Sequence, residues 1–116
     1  MRQFLINSNI LFLINHPIKK LSGRGYIYPD ILCGNVIIEC NGDFFHCNPD
    51  MYTADFINPK TMKSAQYTWN RDKFKIDLYN KLGYNVITLW ESKWRSDSNY
   101  KQKFLNQLKE YENNIQ

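Results

Sequence analysis

The 116 residues are enough for one domain, spanning 1–116, with a modest core, and a chain 43% hydrophobic and 16% aromatic is not a disordered segment. Its apolar runs at residues 4–14 and Asn85–Trp90 are too short to cross a bilayer. A net charge of +4, gathered mainly in residues 60–81 and 93–109, suits a polyanionic partner that approaches through its phosphates.

Residues 4–14 predict a first, largely buried helix, with a strand as the alternative for so apolar a run. His16-Pro17 ends it, because the residue before a proline is pushed out of the helical region. Arg2 ahead of this run imitates a secretory signal. The following Asn15-His16-Pro17-Ile18-Lys19-Lys20 holds no small-residue cleavage site, so the chain is expected in the cytoplasm. Ser22-Gly23-Arg24-Gly25 is a turn. Residues 26–32 and 36–40 predict two antiparallel strands joined across Cys33-Gly34-Asn35 as a hairpin.

Residues 47–59, with two Asn-Pro pairs, predict a loop. Residues 60–82 predict a long helix carrying Trp69, Ile76, Tyr79 and Leu82 on its apolar face, stopped by Gly83. Asn85–Trp90 has the length and continuous apolar character of a central strand. Residues 99–111 predict a final amphipathic helix with Phe104, Leu105, Leu108 and Tyr111 on one stripe. The order of elements predicts an α/β sandwich around a mixed sheet.

The chemistry concentrates in and after the hairpin. Tyr28-Pro29-Asp30 precedes Val36-Ile37-Ile38-Glu39, and the chain then opens onto Asp43 and His46. A carboxylate within an apolar strand costs several kcal/mol unless its charge is offset, and a divalent metal commonly does so. Asp30 and Glu39 at neighbouring strand ends suit Mg²⁺, which keeps open positions for water and phosphate. Such an ion stabilises charge on a scissile phosphate and acidifies water. His46 has the intrinsic pKa to take a proton from that water near neutral pH.

Asp72 shares a helix face with Trp69 and Ile76, so it calls for a partner, an imidazole or a lysine; a pairing with Lys75 or Arg71 at the helix margin is the alternative. Equally, Asp30 after proline is ordinary turn chemistry and Glu39 an exposed strand end. Three cysteines argue against a disulfide framework, and their spacing with His46 matches no zinc pattern, so structural zinc is not expected.

Taken together, Pro29-Asp30, Val36-Ile37-Ile38-Glu39, Gly42-Asp43-Phe44-Phe45-His46-Cys47-Asn48-Pro49, Trp69 with Arg71-Asp72-Lys73 and Lys75, and Gly83-Tyr84 through Leu89-Trp90-Glu91 resemble the endonucleases related to the very-short-patch repair enzyme. Within the PD-(D/E)XK superfamily they are most similar to the EDxHD homing endonucleases. The resemblance spans residues 26–94 in order. It implies a restriction-endonuclease-like fold and Mg²⁺-dependent cleavage of double-stranded DNA, with Mn²⁺ as a substitute.

By the same resemblance, Asp30 is the principal metal ligand, and Glu39 and Cys40 fall where a second is expected, Cys40 through its backbone carbonyl. His46 matches the catalytic histidine, and Asp72 the helix acid that supports it. Asp43 is common in the homing-type members and stands where the repair enzyme has a zinc-binding cysteine. Two departures stand out. The superfamily's Glu-x-Lys is here Glu39-x-Asn41, and no glutamate precedes Glu39 on the first helix, where Gln3 is the nearest substitute.

Lys63, Arg71, Lys73 and Lys75 are the expected DNA-backbone contacts, with Lys60, Lys93 and Arg95 as further candidates. No sequence-reading module is evident, so recognition of a long site would need a homodimer or a separate recognition domain. A mismatch-nicking repair enzyme, a junction resolvase and a degenerate DNA-binding module are the rival readings. The abundance of Asn, Lys, Ile and Tyr suits an AT-rich coding genome such as many phages have, which would make the host cytoplasm the site of action.

Overall fold

Three consecutive β-branched residues, Val36, Ile37 and Ile38, sit at the middle of the protein with no exposed surface. They belong to a strand of six residues, β5 (Val36–Asn41), covered on both faces. A computed structural model describes residues 1–113; residues 114–116, the end of the predicted domain, lie outside the described residues. In chain order α1 is Arg2–Asn7, β1 Leu13–Ile14, β2 Ile18–Lys19, β3 Tyr26–Ile27 and β4 Ile31–Cys33. After β5 come α2 (Ala65–Lys81), β6 (Asn85–Trp90), α3 (Glu91–Ser96) and α4 (Ser98–Asn113).

The predicted hairpin is present: β4 pairs antiparallel with β5, Ile31 opposite Ile38 and Cys33 opposite Val36, around Gly34 at φ +58°. β6 runs parallel to β5, from Val36 opposite Asn85 to Asn41 opposite Trp90. Parallel neighbours require a long crossover, and α2 with the segment before it supplies it. β1 closes the other side, so the main sheet runs β1-β4-β5-β6 and is mixed, with helices flanking it. The protein is therefore mixed α/β.

The sheet's alternation divides the core in two. On one face Ile31, Cys33, Val36, Ile38, Ile87 and Leu89 pack with Leu5 of α1 and with Phe104 and Leu108 of α4. On the other, Leu32 and Ile37 pack with Ile18 and with Tyr79 of α2. Among the described residues no helix is long and apolar enough to cross a membrane.

Four local expectations are corrected. Residues 4–14 are not one helix: α1 stops at Asn7, the chain reverses through Asn9 at φ +57°, and the run resumes as β1. Asn7-Ser8-Asn9 are poor helix formers, and Asn9 is a residue type that tolerates the left-handed conformation. The predicted strand 26–32 is broken between β3 and β4 at Tyr28-Pro29-Asp30, where the proline has no amide to give a ladder.

The long helix begins at Ala65 and not at residue 60. Asn58 accepts the amides of Lys60 and Thr61 in a turn, and Ser64 caps the helix by accepting the Tyr67 amide at 3.0 Å. Finally, β6 is an edge strand, and β5 takes the central place assigned to it. The apolar run of β6 is explained by cover from both layers, Ile87 and Leu89 packing in one core and Val86 against the other.

Candidate active site

The hairpin register brings the first two acids together. With Ile31 opposite Ile38, Asp30 just before β4 lies beside Glu39 on β5. Pro29, fully buried, fixes the approach of the chain, and Asp30 Oδ2 accepts the Cys40 amide at 3.0 Å. Glu39 alternates with Ile38 and so faces α2, 8% exposed.

From α2, Lys75 reaches back, its Nζ 3.3 Å from Glu39 Oε1. The contact is an ion pair and not an aligned hydrogen bond, since Oε1 is buried without a hydrogen-bond partner. Burial raises the Glu39 pKa above the usual carboxylate value; the Lys75 charge opposes this, and the neighbouring Asp30 adds to it. Beneath them Tyr79 is fully buried, with its hydroxyl also unpartnered. Burial first, and the negative charge of Glu39 second, push its pKa up, so it stays a phenol.

His46 arrives from the loop after β5. A tight turn returns the His46 amide to the Gly42 carbonyl at 3.1 Å, and Cys47 adopts φ +51°. Two contacts fasten this loop to α2: the Trp69 indole donates to the Cys47 carbonyl at 2.6 Å, and His46 Nδ1 lies 2.9 Å from Asp72 Oδ2. A carboxylate only accepts, so Nδ1 carries the proton and Nε2 is left free for acid–base work. The Asp72 hydrogen bond raises the His46 pKa, burial opposes the rise, the charges of Asp72 and Glu39 reinforce it, and Lys75 opposes.

Asp30, Glu39, His46, Asp72 and Lys75, with Asn41, Ile76 and Thr88, line one cavity of about 100 Å³. Four of the five candidate catalytic residues thus converge. Asp72 has the imidazole partner and not the marginal Arg71 or Lys75. Lys75, expected on the DNA backbone, also pairs with Glu39 in this cavity. The spacing of three residues puts Lys75 on the helix face of Asp72, but only the packing of α2 across β5 turns it onto Glu39. Asn41 follows Glu39 at the strand period of two, so it was available from the same logic.

Asp43, the fifth, lies elsewhere. Its Oδ1 accepts from Asn48 at 2.7 Å and from the Ser92 hydroxyl at 2.8 Å, while Oδ2 accepts the Ser92 amide at 3.0 Å. Desolvation works to raise its pKa, but the hydrogen bonds from Asn48 and Ser92 outweigh it and hold the carboxyl below its ordinary value. Asp43 therefore ties the His46 loop to the first turn of α3. Asp43→Ala is expected to cost about 2–4 kcal/mol in urea unfolding, given the strength of hydrogen bonds to a charged acceptor. A variant as stable as the wild type would release Asp43 from this scaffold role.

Cys40 offers its amide to Asp30, while its side chain sits with Met1, Arg2, Gln3 and Asn15 along an adjoining hollow that Asp30 and Ile31 also line. Gln3 reaches that hollow, but its amide donates to Asn7 at 2.9 Å. Among the expected DNA contacts, Lys63, Arg71 and Lys75 line one open groove, whereas Lys73 lies off that face. Lys93 is paired with Asp50 at 3.0 Å and Arg95 with Glu91, both along α3.

The two adjacent carboxylates fit a hard divalent cation. They are oxygen donors set side by side by the β4–β5 register, Glu39 Oε1 has the Lys75 ammonium at 3.3 Å but no hydrogen bond, and Mg²⁺ characteristically uses one or two carboxylates and fills the rest of its shell with water. The chain matches no family model, no curated protein and no solved structure.

Proposed function

We propose that this protein is a Mg²⁺-dependent DNA endonuclease of the EDxHD homing type, with a restriction-endonuclease-like fold. One observation carries the reading: Asp30, Glu39, His46 and Asp72, drawn from a strand entry, a strand, a loop and a helix, meet around one small cavity. A structural role for each would not require them to converge.

Asp30 and Glu39 would hold the metal. When bound, Mg²⁺ supplies positive charge against the phosphate being cut and acidifies nearby water. His46 Nε2 accepts a proton from the attacking water as its oxygen bonds to phosphorus, the opposite P–O bond breaks in line, and the leaving oxygen takes a proton from solvent water. Asp72 holds the imidazole in the tautomer that leaves Nε2 open and stabilises the imidazolium that forms. Lys75 sits where its ammonium offsets the charge of Glu39 and faces an incoming phosphate, restoring from the helix the cation that Asn41 does not provide on the strand.

The substrate is double-stranded DNA in the cytoplasm, the host's if the gene is phage-borne. Recognition of a long site then calls for a second copy or a separate domain. A degenerate module that only binds DNA is the second reading, favoured by Gln3, which has no carboxylate to offer and whose amide is engaged by Asn7. Supercoiled plasmid tests both. Nicking or linearisation in Mg²⁺ or Mn²⁺, stopped by EDTA, is the expected result; DNA binding without cleavage would overturn the nuclease and support the second reading.

A further inference from the structure

An open groove runs from the cavity along the outer side of α2, sharing His46, Asp72 and Lys75 with it. One wall is a stripe of α2 in which Tyr67, Arg71 and Phe74 follow at helical spacing. Tyr67 and Phe74 are seven residues apart, about 10 Å along the axis, which equals three base-stacking steps of about 3.4 Å. The opposite wall carries Tyr26 and Tyr28 beside Lys20. Phe45 lines the groove as well, and all five rings are substantially exposed, Phe74 the most at 71%. Large aromatics scattered singly over a surface need no explanation, but five around one groove form a patch that does.

The charges distinguish between occupants. Of the four cations lining the groove Lys75 is paired with Glu39, and the one lining acid, Asp72, is engaged by His46, so Lys20, Lys63 and Arg71 carry the net positive charge. The Lys63 ammonium lies 5.0 Å from the Tyr67 ring centre, setting a phosphate-binding cation beside a stacking surface. Protein–protein interface cores are depleted in lysine, which makes a protein a poor match. A fully paired duplex offers phosphates to the cations but no free base faces to the rings. Exposed rings interleaved with cations are the means by which unpaired strands are held, backbone on charge and bases on π-faces.

We infer that this groove holds an unpaired DNA strand, so that the substrate is double-stranded DNA interrupted by a single-stranded run beside the phosphate to be cut. The inference rests on the nuclease reading and narrows its substrate class. Because the groove and the cavity share His46, Asp72 and Lys75, a strand lying in the groove runs beside the acids.

Fluorescence anisotropy in EDTA, at one fixed salt concentration, tests binding apart from cleavage. The probes are a labelled oligothymidine and a blunt hairpin closed by a non-nucleotide linker, so that every base is paired. The oligothymidine is expected to bind at least tenfold more tightly. Tyr67→Ala and Phe74→Ala, both at exposed positions, are each expected to weaken it about tenfold while leaving the hairpin unchanged. Equal or tighter hairpin binding, binding of neither probe, or an oligothymidine affinity indifferent to both substitutions would overturn the inference. Plasmid cleavage in Mg²⁺ is scored separately. Cleavage without strand preference would reject the groove alone, and strand preference without cleavage of plasmid or of a partly unpaired duplex would reject the nuclease alone.

Discussion

His46→Ala is expected to slow cleavage by about 10²–10⁴-fold, the usual contribution of a positioned proton acceptor, with DNA affinity little changed. The pH profile carries more information than the rate. Only the neutral imidazole accepts a proton, and its pKa is raised by the Asp72 hydrogen bond at 2.9 Å, with burial and Lys75 opposing and Glu39 assisting. Cleavage should therefore climb with pH along a limb displaced to the alkaline side of free imidazole. Asp72→Asn removes the charged acceptor, so the limb should move to lower pH while the plateau rate falls. The same shift makes a statement about stability. A histidine whose folded pKa exceeds its unfolded value stabilises fully below the unfolded pKa, and that contribution is lost as pH rises through the folded one. Rates that fall across this range would assign the imidazolium as an acid, and a limb that stays put in Asp72→Asn would remove the pair from the mechanism.

The parts of this protein that were legible in sequence are those governed by local periodicity and turn chemistry. Residues 36–40 read as a strand and form one, extended to Asn41, Gly34 set the turn that pairs it with β4, and Gly83 stopped α2 at φ +94°. Because a strand pair fixes register, the adjacency of Asp30 and Glu39 followed from the hairpin as soon as its turn was known. The orientation of Asp72 toward a partner likewise followed from its helix face. What stayed hidden depended on contacts distant in sequence. Asp43 reads as one more acid beside a histidine, and nothing local reveals that Ser92, forty-nine residues on, takes both of its oxygens. Lys75 reads as one basic residue among several on α2, and only the packing of α2 across β5 turns it onto Glu39. Edge and centre in the sheet are set by chain topology, so the apolar run of β6 could not distinguish them.

Asp30→Ala is expected to reduce metal-dependent cleavage by about 10³-fold or more, since about 4 kcal/mol of transition-state charge stabilisation corresponds to a thousandfold. Activity alone would not separate a lost ligand from a lost fold, so the sharper readout is melting with and without Mn²⁺. Glu39 holds its proton more tightly when folded than unfolded, because burial raises its pKa and Asp30 adds to the rise. Ionising it therefore costs stability as pH climbs past the ordinary carboxylate pKa. A divalent cation shared by the two acids offsets that cost, and a ligand bound only by the folded state at a hundredfold excess over its Kd stabilises by about 2.7 kcal/mol. The wild type should thus melt higher in Mn²⁺ than in EDTA. Asp30→Ala removes one ligand and also one repelling charge. In EDTA it should melt close to the wild type, the relief beside Glu39 offsetting the lost Cys40 hydrogen bond, and Mn²⁺ should move it little. An equal Mn²⁺ shift in both proteins would place the metal elsewhere, whatever the cleavage assay returned. A variant already unfolded in EDTA would instead make Asp30 a structural acid, holding the Cys40 amide where β4 meets β5.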